Sequence, residues 1–110
     1  MKTIKQLALT AFLFISFTGI AQQKNELLDR TFWKSSPSVA TVKQKIAEGN
    51  DPIAKDSNSF DATTLAITSK ADTEVVKYLL SLEGNEVDKK THDSRIYLHW
   101  ATYAGDAELV

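Results

Sequence analysis

From Ser36 onward, hydrophobic positions recur at helical spacing in segments separated by polar connections. Val39, Val42 and Ile46 line one side of a stretch whose other side carries Lys43, Lys45 and Glu48. Ser36 before Pro37 suits a helix start, and Gly49 can take the left-handed conformation that ends one. Thr63 is placed to cap a third helix running through Lys70, with Leu65 and Ile67 as its apolar residues. Asp72 is placed to cap a fourth, whose stripe of Val75, Val76, Leu79 and Leu80 predicts the most buried helix of the chain; Gly84 stops it. A fifth runs from about Tyr97 to Tyr103, and Gly105-Asp106 opens a sixth. Ahead of these, Asn25 precedes Glu26 to Trp33, which predicts a short first helix with Leu28 and Phe32 on one face. Phe32 and Trp33 are expected to close the end of the stack.

The first residues follow another pattern. Met1 to Lys5 holds two lysines and no acid, Leu7 to Ile20 is a run of 14 almost uncharged residues, and Gly19-Ile20-Ala21 supplies small residues before a cut. This predicts a signal peptide cleaved after Ala21, leaving a mature chain that starts at Gln22. The competing reading, a membrane anchor, needs about 20 apolar residues to cross a bilayer, which the run does not reach. Export implies a periplasmic or secreted protein with no membrane association after cleavage. The 110-residue sequence has no cysteine, so neither a lipidated N-terminal cysteine nor a disulfide is available and apolar packing must hold the fold. Without residues 1–21, 11 basic side chains face 14 acidic ones, a balance that argues against nucleic-acid binding.

Asp72-Thr73-Glu74-Val75-Val76 returns as Asp106-Ala107-Glu108-Leu109-Val110, shifted by 34 residues. Val42 and Val76, and Ile46 and Leu80, share that shift, while Leu65 and Leu98 stand 33 apart. Such periods occur in tetratricopeptide and ankyrin arrays. The long polar connection after Gly84 separates them, since tetratricopeptide helices are joined by short turns. Leu98-His99-Trp100-Ala101-Thr102-Tyr103-Ala104-Gly105 resembles the ankyrin repeat: Leu98 and His99 match the end of its Thr-Pro-Leu-His signature, Ala101 its first alanine, Gly105 its interhelix glycine, and Gly84 the glycine ending its second helix. Ile96 and Tyr97 replace the signature's Thr and Pro, and Ser94 stands where a hairpin glycine is common. The second unit, with Thr63-Thr64-Leu65-Ala66, lacks the interhelix glycine and is expected to carry a loop two residues longer. The resemblance implies an all-α ankyrin-repeat solenoid of helix pairs with hairpin-like connections. Its units would be approximately 25–60, 61–94 and an incomplete 95–110.

Ankyrin domains recognise proteins through hairpin tips and the concave helix face, so the resemblance implies a non-catalytic interaction scaffold with a protein partner. Two other functions stay open: the recognition module of a longer exported enzyme, and an immunity or inhibitor protein. No cofactor is implied. His92, beside Asp93, and His99 are the histidines, with no ligand pair at helical metal spacing and no thiolate, so no metal site is expected. The family's histidine bonds backbone between repeats, which would account for His99. No Gly-x-Ser-x-Gly elbow or phosphate loop is present.

If Leu98, Ala101 and Thr102 face the core, Trp100 and Tyr103 point to the concave side, as binding anchors or as cover for the neighbouring repeat. His92, Asp93 and Arg95 precede them at a hairpin tip. Phe60, near the other tip, is either a tether folding its loop back or a further anchor. The candidate partner-binding set is therefore Trp100, Tyr103, His92, Asp93, Arg95 and Phe60.

Overall fold

The computed structural model describes residues 24–110, so the segment assigned to a signal peptide lies outside the described residues. The described chain is all-α, with helices α1 (Arg30–Lys34), α2 (Val39–Ala47), α3 (Ala62–Thr68), α4 (Thr73–Leu80) and α5 (Tyr97–Ala104). Short 3-10 turns at Glu26–Leu28 and His92–Ser94 complete it, and an isolated antiparallel bridge pairs Lys55 with Asp61.

Capping decides where each element begins, and it differs in places from the sequence reading. The expected first helix is broken at Asp29, whose extended backbone ends the 3-10 turn while its side chain accepts the Thr31 N–H. That bond holds the Asp29 carboxyl below its ordinary pKa. α2 starts from Ser38 rather than Ser36, because Ser36 has a positive φ of 56° and the Ser38 side chain accepts the Thr41 N–H. α3 is capped by Asp61 and not by Thr63, which is itself buried. Asp72 occupies the N-cap position of α4 but makes no side-chain cap bond.

α3 is the central element. It packs against α5 on one side, α1 and the first 3-10 turn on another, and α4, while α2 packs against α4. Every residue from Asp61 to Ile67 is buried, so α3 rather than α4 is the most buried helix. It has neighbours on both flanks, whereas Val75, Val76 and Leu79 give α4 one buried stripe. Trp33, fully buried, joins α1 to this core and donates its indole N–H to the Leu27 carbonyl at 2.9 Å.

Two equal devices lead from a helix end into a hairpin. Gly49 and Gly84 have φ of 104° and 100°, and each is followed by a buried asparagine. Asn50 Nδ2 donates to the Lys45 carbonyl at 2.8 Å, and Asn85 Nδ2 to the Leu79 carbonyl at 3.0 Å, satisfying last-turn carbonyls that a helix leaves open. A Cβ on Gly84 would lie 2.8 Å from Ile53 Cγ2, so close approach and backbone both require glycine there. The hairpins then close alike, Asp56 N–H to the Phe60 carbonyl and Thr91 N–H to the Arg95 carbonyl, each at 2.8 Å. From glycine to the next helix cap, Gly49 to Asp61 equals Gly84 to Ile96, so the expected longer loop in the second unit is not found. At the second tip Asp93 and Ser94 both have positive φ, 56° and 58°, where the first tip has Ser59 at 65°.

A buried polar cluster joins these parts. Asp61, wholly inaccessible, accepts from the Thr64 N–H at 2.8 Å through Oδ1. Its Oδ2 meets Lys89 Nζ at 2.9 Å and accepts a hydrogen bond from the Tyr97 hydroxyl. Lys89 Nζ also donates to the Ile53 carbonyl at 2.7 Å and to Asn85 Oδ1 at 3.0 Å. Burial first, and the bond to Asp61 second, push the Tyr97 phenol pKa far up.

Candidate functional site

α5 displays a face different from the one the sequence suggested. Tyr97, Trp100 and Ala101 are buried, while Leu98 is 48% and Tyr103 83% exposed. Counted from the caps Asp61 and Ile96, Leu65 and Trp100 are each the fourth residue of their helices. Leu98 is only the second, and two residues turn a helix by about 200°, so Leu98 faces away from the position that Leu65 fills. Thr102 is exposed as well. Of the two readings of Trp100, burial supports cover rather than an exposed anchor, and its Nε1 donates to Thr91 Oγ1 at 2.7 Å. Thr91 Oγ1 in turn donates to the Arg95 carbonyl at 2.6 Å, so the ring fastens the hairpin to α5.

His99 also differs from expectation. Its exposed ring accepts the Ile96 N–H through Nδ1 at 3.1 Å within the same unit, instead of bridging repeats. The imidazole thus serves one end of a helix whose N-cap residue, isoleucine, has no polar side chain.

Above Trp100 lies a concave pocket of about 500 Å³ lined by Arg30, Phe60, Thr68, Arg95, His99, Trp100 and Tyr103. Phe60 and Trp100 form its floor, ring centroids 5.8 Å apart. The Arg30 guanidinium sits 5.1 Å from the Phe60 centroid and that of Arg95 5.3 Å from the Trp100 centroid, both within cation–π range. Phe60 is half-buried and stacked on His92 at 4.5 Å with planes 13° apart, and His92 Nδ1 lies 2.8 Å from the Asn58 carbonyl. Phe60 is thus a tether between the two hairpins as well as a pocket wall. Asp93 Oδ2 meets Arg95 Nη1 at 3.0 Å and His92 Nε2 at 3.3 Å.

Of the six expected residues, Phe60, Trp100, Tyr103 and Arg95 meet in this pocket, while His92 and Asp93 support it from behind. Arg30, Thr68 and His99 were not anticipated as wall residues. His99 stands one residue from Trp100 and was within reach of helical periodicity. Arg30 was not, because its place depends on how α1 docks on α3.

The other concentration of polar groups, around Asp61, has its carboxylate fully buried and every oxygen engaged, an arrangement that holds structure together. Among the described residues no group of three or more His, Asp or Glu side chains lies where it could hold a metal ion. No described helix is long and apolar enough to cross a membrane. Comparison with known protein families, with characterised proteins and with solved structures found no match.

Proposed function

We propose that the chain is a non-catalytic protein-recognition module, ankyrin-like in architecture, exported to the periplasm or beyond, that holds a partner on the concave face beside its hairpins. The observation that carries this reading is the Arg30–Phe60–Trp100–Arg95 pocket with Tyr103 exposed at its rim. Aromatic and arginine side chains in concave, partly desolvated positions supply most interface energy. The ankyrin-like arrangement is supported by helices in contact within an expected unit, α3 with α4, and between expected units, α3 with α5 and α2 with α4. Two hairpins that close alike and are joined by the Phe60–His92 stack add to it.

Affinity capture from extracts of the source cell, comparing wild type with Tyr103→Ala, tests the reading. Tyr103 contributes nothing to the buried core, so its removal leaves folding intact and should weaken a partner by about 2 kcal/mol or more. Identical capture by two equally folded proteins contradicts it.

A further inference from the structure

The pocket has a chemical polarity that its shape alone does not convey. The whole chain has a formal charge of −1, yet no acidic side chain lines the pocket and two guanidiniums do. Arg30 makes one long hydrogen bond, 3.5 Å to Thr68 Oγ1, and forms no ion pair among the described residues. Arg95 engages Asp93 through Nη1 alone. A guanidinium offers five N–H donors, so both side chains retain most of their capacity. Each guanidinium rests over a ring, which limits its freedom and so the entropy lost when it binds.

Resting on the recognition reading above, we propose that this pocket takes an acidic segment of a partner protein. Carboxylate side chains meet Arg30 and Arg95, and an apolar side chain lies against Phe60, Trp100 and Tyr103. Arginine matches carboxylates in paired, charge-assisted hydrogen bonds. Each guanidinium stacks on its own ring, Arg30 on Phe60 and Arg95 on Trp100, so each offers a carboxylate along the segment its own partner.

The test is a titration of the 15N-labelled protein, followed by amide and arginine side-chain shifts, with the capped peptide acetyl-Gly-Glu-Leu-Glu-Gly-amide. Its glutamine counterpart and a short single-stranded oligonucleotide are run beside it. Capped ends remove the terminal carboxylate, so binding reports the acidic side chains. The glutamate peptide should move Arg30, Arg95, Phe60 and Tyr103 signals, and the glutamine peptide should bind at least about tenfold more weakly. Arg30→Gln and Arg95→Gln should each weaken the glutamate peptide by a similar about tenfold factor, with an otherwise unchanged spectrum. Added salt should weaken it too, because these guanidiniums are exposed.

Equal binding of the two peptides, no binding, shifts centred on Lys43 and Lys77 instead, or tighter binding of the oligonucleotide overturns the proposal. If the peptides fail while Tyr103→Ala still loses the captured partner, the recognition surface stands and carboxylate selectivity falls. If Tyr103→Ala keeps the partner, both fall.

Discussion

Asp61→Ala should cost about 3–5 kcal/mol, because it leaves the part-buried Lys89 ammonium without its ion-pair partner. Domains of this size have about 5–15 kcal/mol in total, so the loss is a large share. Three groups depend on this carboxylate: the Thr64 N–H at the start of α3, Lys89 in the second connection and Tyr97 at the start of α5. Removing it uncaps the central helix and frees the elements on either side of it at once. Lys89 Nζ is otherwise hydrogen-bonded to the Ile53 carbonyl and Asn85 Oδ1, neither of which carries charge. The double variant Asp61→Ala/Lys89→Met should therefore be more stable than Asp61→Ala alone, since the orphaned charge is gone. Urea unfolding followed by circular dichroism measures both. A cost under about 1 kcal/mol for the single variant would contradict the role given to the cluster.

Trp100→Ala should lose about 3–5 kcal/mol through the cavity and the vacated contacts. It also removes the donor to Thr91, the residue whose hydroxyl closes the second hairpin. Each kcal/mol corresponds to about 4–8 °C of melting temperature for a domain of about 60–100 residues, so the shift is readily seen. Tyr103→Ala, three positions on but 83% exposed, should stay within about 0.5 kcal/mol of wild type. Thermal melts of the pair separate a packing role from a surface role. Equal melting temperatures for Trp100→Ala and wild type would put the ring back among exposed anchors.

The helices were legible because apolar spacing and glycine stops are local signals: Val39, Val42, Ile46 and the Val75–Leu79 stripe lie where periodicity puts them. Helix starts were less so, because several residues competed for each cap. Ser36 and Thr63 have the right chemistry, but Ser38 and Asp61 have the right backbone and reach. The face of α5 was misread by matching Leu98 to Leu65 on residue type. Alignment on the helix caps, with Gly49-Asn50 against Gly84-Asn85, would have paired Leu65 with Trp100 and revealed the buried ring. Four of the seven pocket residues were visible in advance, Phe60, Arg95, Trp100 and Tyr103. Arg30 depends on the docking of a short helix after a break at Asp29, and no periodicity conveys that. Lys89 reads as solvated in a polar stretch, and only the approach of Asp61 from a distant cap makes it the partner of a buried carboxylate.

Amide hydrogen exchange of the protein, alone and with the partner recovered by capture, tests the central claim most directly, because it maps contact without altering a residue. Slowed exchange should be confined to the Phe60 hairpin, the segment from Asp93 to Tyr103, and Arg30. The α2 and α4 surfaces around Lys43 and Lys77 should exchange as in the free protein. Protection concentrated on α2 and α4, with the pocket unchanged, would place recognition on those helices and contradict the account.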